Sequence, residues 1–236
     1  MIKVIALSDL HGQLIKIEEK ADLFLICGDI SPLDIQTDKY RMLRCLNREF
    51  CNWIKELPYK DHNSKCILIG GNHDFAFEEI YGRKPNRLLR ECRGKLIFLD
   101  NEEYLFKNPK LKRDLKIFGC PYCRELPGWA YCRPDYQLER YYDFIPFNTD
   151  ILMLHDAPDI LDGGLSTQLK PYPRNFGNKI LGKYVNERKP KYVVFGHIHS
   201  SPLKHFVTYA PNCFICNVSI LDEDYNLAYK PVSFLI

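Results

Sequence analysis

Five short blocks in this chain carry side chains able to hold a metal ion: SDLHG with Asp9 and His11, CGD with Asp29, GNHD with Asn72, His73 and Asp74, LHD with His155, and GHIH with His197 and His199. Carboxylate, imidazole and amide oxygen together suit hard to borderline divalent cations such as Mn, Fe or Zn, whereas a set of thiolates points to structural zinc. Seven ligand-type residues (Asp9, His11, Asp29, Asn72, His155, His197, His199) and one further histidine, His73, are the equipment of a hydrolase that uses two metals.

Each block must be delivered by an element that ends there. The preceding runs (IKVIALS, DLFLICG, KCILIGG, DILML, YVVFG) are short, bounded by turn residues and rich in Val, Ile and Leu, which predicts strands buried on both faces. Their ends meet along one edge of a sheet, the edge where open α/β sheets bind ligands. Extended backbone sends residues two apart to the same side, so Asp9 with His11, and His197 with His199, are expected to aim into one pocket. Helices are expected at Gln13 to Lys20, Lys39 to Leu57, Pro85 to Cys92 and Lys179 to Arg188. Further short strands are expected at Leu96 to Leu99, Tyr104 to Phe106 and Leu115 to Phe118, then three terminal ones from Leu203, Cys213 and Leu227. Pro158 to Gly177 reads as a long surface loop.

With 236 residues, 46% of them hydrophobic, the chain is long enough for one full core, and one domain over residues 1–236 is expected. The 33 basic and 30 acidic residues leave a net charge of +3, so no global field draws the protein to nucleic acid or membrane. Without a dense basic tract, tight duplex binding and hence nuclease activity are disfavoured. The start, Met1 to Val4, runs straight into a strand without a secretory signal, and no apolar run approaches the roughly 18 residues of a membrane span. Ten cysteines at no framework spacing read as reduced thiols of a cytoplasmic protein.

Taken singly, each block is a common short pattern, and a lone strand-end aspartate is usually a helix cap. In this order, D-x-H, G-D, G-N-H-D, H and G-H-x-H resemble the calcineurin-like metallophosphoesterases from Asp9 to His199. That resemblance implies an α/β fold, a four-layer αββα sandwich of two packed mixed sheets with flanking helices. It also implies that Asp9, His11 and His199 hold one divalent ion, that Asn72, His155 and His197 hold a second, and that Asp29 bridges them. A water activated between two such ions would attack phosphorus in line. His73 then stabilises or protonates the leaving oxygen, and Asp74 is expected to orient its ring.

The substrate expectation is a small phosphoester, and a diester such as a nucleotide in particular. Protein phosphatases of the superfamily extend the second block to G-D-x-x-D-R-G, and here it reads Gly28-Asp29-Ile30-Ser31-Pro32. The stretch from Cys120 to Pro146, with PGWAY at Pro127 to Tyr131, and the segment NVSILDEDY resemble the small metallophosphoesterase-domain-containing proteins, which include cyclic-nucleotide phosphodiesterases. Tyr122, Arg124, Trp129, Tyr131, Arg133, Tyr136, Arg140, Tyr141 and Tyr142 could stack a base and hold its phosphate, or pack the loop onto the sheet. Arg174 and Lys170 are placed to meet an anion or to face solvent. Asp156, where the family usually has glycine, adds a carboxylate that would disfavour a highly charged monoester. A phosphomonoesterase, a protein phosphatase and a non-catalytic binding scaffold of this fold are the competing readings. Cys120-Pro121-Tyr122-Cys123 on its own resembles a glutaredoxin dithiol but lies deep in the chain, and Cys213 with Cys216 repeats its spacing, which would allow a four-cysteine zinc site; Cys213 and Cys216 bracket an apolar Phe-Ile pair, for which packing is the expectation.

Overall fold

Alternation within each apolar run decides which face of a strand meets which layer. The computed structural model describes residues 1–80, 90–92, 94–167 and 174–236. The first half of the chain contains strands β1 (Lys3–Leu7), β2 (Leu23–Cys27), β3 (Lys65–Ile69), β4 (Leu96–Phe98), β5 (Glu102–Phe106) and β6 (Leu115–Cys120). After the short pair β7 (Cys123–Arg124) and β8 (Cys132–Arg133) come β9 (Ile151–Leu154), β10 (Leu165–Ser166) and β11 (Arg174–Asn175). The chain ends with β12 (Tyr192–Phe195), β13 (Val207–Ala210), β14 (Cys213–Asn217) and β15 (Val232–Leu235).

Two large sheets result, ordered β15-β1-β2-β3-β4 and β13-β14-β12-β9-β6-β5. In the first, β1 to β4 are parallel and β15 runs antiparallel to β1; in the second, β14, β12, β9 and β6 are parallel, with antiparallel β13 and β5 at the edges. Val4, Ala6, Leu23, Leu25, Ile67 and Ile69 of one sheet pack against Ile117, Ile151, Met153, Val194 and Cys216 of the other. Their sequence neighbours point outward: Ile5, Phe24, Ile26 and Leu68 meet helices, as do Phe118, Leu152, Leu154, Val193 and Phe195. The helix layers and the two sheets make the four-layer sandwich that the resemblance implies.

On the first sheet lies a helix running from Lys39 to Glu56: α1 (Lys39–Cys45), a π-helical turn at Leu46–Phe50, and α2 (Cys51–Glu56). The Asp38 carboxylate caps it by accepting the N–H groups of Tyr40 and Arg41. Met42, Leu46, Phe50, Trp53 and Ile54 form its buried stripe. The second sheet is covered by α3 (Asp135–Tyr142), burying Leu138 and Tyr142, and α4 (Lys179–Arg188), burying Leu181 and Val185.

Some expectations need correction. Gln13 to Lys20 is not helical; Ile15 and Ile17 alternate with Lys16 and Glu18, and the Ile15 carbonyl accepts the Trp53 indole N–H at 2.8 Å, tying an irregular segment to the helix layer. Helix α3 arises inside the aromatic stretch read as a loop, where Leu138 and Tyr142 stand four residues apart. The last strands begin at Val207, Cys213 and Val232. Of the helix expected over Pro85 to Cys92, Arg90 and Glu91 are helical and Pro85 to Leu89 lie outside the described residues, as does Lys170. Among the described residues no helix is long and apolar enough to cross a membrane.

Candidate active site

All five blocks emerge from the carboxyl ends of parallel strands: Asp9 after β1, Asp29 after β2, Asn72 to Asp74 after β3, His155 after β9, and His197 with His199 after β12. The two sheets face each other, so these ends converge from both sides. Backbone geometry there departs from the extended form expected: Asp9, His11, Asp29 and His197 have φ of 57, 42, 53 and 67°. Left-handed backbone at non-glycine residues costs of order 1–3 kcal/mol each and gathers at functional sites. Turning, rather than strand alternation, aims these side chains. His197 and His199 accordingly open into one cavity but toward different partners: His197 Nδ1 lies 2.8 Å from Asn72 Oδ1, and His199 Nε2 lies 3.4 Å from Asp9 Oδ1.

Close approach also explains the glycines beside the ligand-type residues. A methyl group on Gly71 would collide with the Asp29 carboxylate, and one on Gly196 would collide with Ser8 Oγ.

Two groupings emerge. Asp9, His11 and His199 bring one ligand atom each within 4.8 Å of one another. Asn72 Oδ1 lies 3.0 Å from His155 Nε2 and, as noted, beside His197 Nδ1. Asp29 stands between them, its Oδ2 3.3 Å from His155 Nε2 and 3.7 Å from His11 Nε2. Asp9 is held by the Ser219 hydroxyl at 2.6 Å and by the His197 N–H at 3.1 Å to both oxygens.

This arrangement fits a divalent cation. His155 Nδ1 must donate to the Cys27 carbonyl, 2.7 Å away, and His199 Nδ1 to the Asp222 carbonyl at 2.8 Å, which turns both Nε2 atoms inward. Anchoring of one ring nitrogen by a carbonyl is how metal-binding imidazoles are oriented. Both nitrogens of buried His11 lack a hydrogen-bond partner, a cost of about 1–3 kcal/mol that a cation would remove. Among the described residues, the clusters of metal-ligand type contain only histidines and aspartates and no cysteine.

The electrostatics agree. Burial opposes a charge on Asp29, yet the imidazoles of His155, His73 and His11 outweigh it and hold the carboxyl below its ordinary range. Burial likewise opposes protonation of His155 and His199, but Asp29 raises the first to about 10 and Asp9 the second to about 9. His11, for which burial prevails, falls to about 4. Asp29 and Asp9 thus draw positive charge to His155 and His199, while burial pushes His73 and His197 down as it does His11.

His73 sits beside the cluster with Nε2 3.9 Å from Asp29 Oδ2. Its ring partner is not Asp74 as expected: Nδ1 lies 2.5 Å from Gln36 Oε1. The Asp74 carboxylate turns the other way and accepts the N–H groups of Asp29, Ile30, Ser31 and Gly71 and the Ser31 hydroxyl, fixing the turn after β2. Burial and the nearby Asp29 carboxylate push Asp74 up to about 7. Asp156 is a second correction: it is buried and accepts from the N–H groups of Arg124 and Ala157 and the Asn178 amide, so its charge is spent on the loop at Arg124 rather than presented to a substrate.

A cavity of about 250 Å³ exposes Asp29, Asn72, His197 and His199 together with His73, Leu126, Trp129, Glu223 and Tyr225. The Trp129 ring lies 4.4 Å from that of His73, and the Tyr225 ring 5.2 Å from that of His199. Of the aromatic stretch, only Trp129 reaches the cavity. Tyr122, Tyr131 and Tyr142 are buried, with Tyr122 stacked on Tyr141 at 3.7 Å, and Arg133 pairs with Glu78. Arg174, His62 and His205 are exposed. Cys120 and Cys123 are buried and their thiols pushed up by burial, which removes the redox reading; Cys213 and Cys216 are core residues of β14.

Gln36, Ser219, Glu223 and Tyr225 were not singled out by sequence reasoning. No local pattern marks Gln36, since its partner lies 37 residues away. Ser219, Glu223 and Tyr225 fall in the NVSILDEDY segment, where the resemblance was the available signal, although the partner of Ser219 lies 210 residues away.

Comparison with known proteins agrees with this geometry. The family model described as calcineurin-like phosphoesterase matches residues 2–201. Two UPF0046 proteins of Caenorhabditis elegans are similar to the chain. One is 30% identical over 77% of this chain and 63% of its own length, the other 23% identical over 99% and 59%. The chain thus spans about six tenths of those curated relatives. In fold it is similar to a phosphopantetheinyl hydrolase from Mycobacterium tuberculosis, at 13% identity and TM-score 0.52 over 94% of this chain and 90% of that one. Five strand-end blocks in family order, converging on one buried cluster and matched over most of the chain's length, place this protein in the calcineurin-like phosphoesterase family.

Proposed function

We propose that the protein is a metal-dependent phosphodiesterase acting on a small organic diester, a nucleotide among the candidates. The observation that carries this reading is the make-up of the cavity, where ligand-type groups share one space with Leu126, Trp129 and the Glu223 carboxylate. A diester bears an organic group on each side of phosphorus and a single negative charge. Leu126 and Trp129 offer apolar and aromatic surface to the second group, and Trp129 has the flat face a base stacks on. Glu223 disfavours the second charge that a monoester carries.

Asp9, His11 and His199 would hold one divalent ion and Asn72, His155 and His197 another, with Asp29 shared. When bound, such a pair lowers the pKa of water toward about 7 and neutralises two phosphate oxygens. The oxygen and nitrogen donors suit Mn, Fe or Zn. The chain's own contribution is to orient and to donate. Carbonyl anchors hold the His155 and His199 rings, and Trp129 bounds the cavity on the side of His73. His73 hydrogen-bonds the leaving oxygen and hands it a proton as the phosphorus–oxygen bond breaks.

The test is a substrate panel on protein reconstituted with Mn, comparing bis-p-nitrophenyl phosphate and cyclic nucleotides with p-nitrophenyl phosphate. Diester turnover well above monoester turnover is expected. Protein that cleaves only monoesters overturns the diester assignment, and protein that cleaves neither after metal loading favours the scaffold.

A further inference from the structure

We infer that Gln36 is the positioning residue for His73, holding the proton on Nδ1 so that Nε2 is the atom presented to the leaving group. The inference deepens the proposed function and rests on the role given there to His73.

An imidazole that delivers a proton must be fixed in ring orientation and in which nitrogen stays protonated. Packing supplies half of this: the His73 ring meets Trp129 at 4.4 Å and is met edge-on by His11 at 4.6 Å. Such contacts do not distinguish the ring from its flipped form. The one polar contact at Nδ1 does, because Gln36 Oε1 at 2.5 Å accepts from Nδ1–H and leaves Nε2 on the side of Asp29 Oδ2.

Gln36 can do this because both ends of its turn are anchored. At the start, the Asp74 carboxylate gathers the N–H groups of Asp29, Ile30 and Ser31. At the end, the Asp38 N–H bonds the Ile35 carbonyl at 2.9 Å, while the Asp38 side chain caps α1. Ile35 itself is buried. Asp74 therefore acts on the His73 ring through the segment from Asp29 to Gln36 rather than by touching it. A neutral amide suits the position, since it accepts from Nδ1–H without placing another carboxylate near Asp29.

The proton balance follows. As the bond between phosphorus and the leaving oxygen breaks, its electron pair stays on oxygen and the proton on His73 Nε2 passes to it. The ring is left neutral, with its remaining proton still on Nδ1 and bonded to Gln36.

The experiment compares two diesters at saturating Mn, one releasing p-nitrophenol, which leaves without protonation, and one releasing an alkyl alcohol, which does not. His73→Ala should lower kcat on the alkyl ester about 10²-fold and far less on the nitrophenyl ester. Gln36→Leu should act in the same direction, with about a tenfold loss on the alkyl ester, little change in KM and near-normal nitrophenyl turnover. The double variant should be no slower than His73→Ala alone, because both residues act through one proton. ¹⁵N NMR of metal-free protein, with the His73 signals assigned from His73→Ala, should show Nδ1 protonated in the native protein and that preference lost in Gln36→Leu. Gln36→Ala is run in parallel in case the leucine variant fails to fold. Equal losses on both esters, additive effects in the double variant, or an unchanged NMR pattern overturn the assignment of Gln36. If His73→Ala shows no leaving-group dependence, the role of His73 falls first, and the NMR comparison alone decides whether Gln36 positions the ring.

Discussion

The Ser219 hydroxyl donates to Asp9 Oδ2 at 2.6 Å, joining residues 210 positions apart at the contact between the two sheets. Both residues are fully buried, and Ser8, next to Asp9, bridges to Ser219 along the backbone. Partners of this kind hold a carboxylate in the orientation a cation needs, and their loss costs about 10- to 100-fold in metal affinity. Ser219→Ala is expected to weaken Mn binding by about tenfold while costing only about 1 kcal/mol of stability. Calorimetric titration of metal-free protein checks the first, and urea unfolding the second.

His11 gives the opposite pattern with and without metal. Its two buried nitrogens lack hydrogen-bond partners, so His11→Leu, close in volume, should leave the metal-free protein within about 1 kcal/mol of the native one. Native protein should gain about 2.7 kcal/mol from metal at a hundred times its dissociation constant. The variant should gain clearly less. Thermal melts with and without Mn are the measurement, and an undiminished gain in the variant counts against His11 as a ligand.

Trp129 is half-buried at the cavity and touches His73. If a base stacks there, Trp129→Ala should raise KM for a nucleotide diester about tenfold, in keeping with about 1–3 kcal/mol per stacked base. KM for a diester with small alkyl groups should change far less. Steady-state kinetics on the two substrates separate base recognition from general damage.

Asp150, at the start of β9, probes stability away from the site. Arg113 donates two hydrogen bonds to it at 2.6 Å each, the Lys116 N–H a third at 3.0 Å, and Lys191 Nζ lies 3.3 Å away. Burial pushes the carboxyl up, but these partners, Arg113 foremost, outweigh it and hold it below its ordinary value. A depressed folded-state pKa gives stability that is present above the unfolded value of about 3.9 and disappears as pH falls through the folded one. Asp150→Asn should therefore unfold about 2 kcal/mol more easily at neutral pH. That gap should close as the pH is taken below about 4, which urea titrations over a pH series would show.

Much of the site was legible because buried parallel strands are short, apolar and end abruptly, so the first polar residue after each is a candidate for the shared edge. Asp29, Asn72, His155 and His197 are that residue after their strands, and Asp9, His11 and His199 follow within a few positions. The helix over Lys179 to Arg188 was equally clear from its spacing. What could not be read depends on contacts distant in sequence. Gln36 is an ordinary turn residue until His73 folds against it, and Ser219 an ordinary strand-end serine until it meets Asp9. Asp74 follows His73 in the chain, which invited a pairing that the turn at Gly71 prevents, and Asp156 likewise stands beside a ligand-type residue yet faces away from the cavity. Gln13 to Lys20 misled because its apolar residues fit either a helical stripe or an extended run, and Trp53 decides between them.

The antiparallel pairing of β15 with β1 closes one border of the first sheet. One of the two neighbours of the strand leading to Asp9 consists of residues 232–235, so that edge is paired only when segments far apart in sequence are brought together. Whenever that pairing is open, a row of unpaired amide and carbonyl groups along β1 lies open to any other extended segment. Fraying of β15 would turn the border beside Asp9 into an adhesive edge, so this outermost strand also shields the protein from self-association.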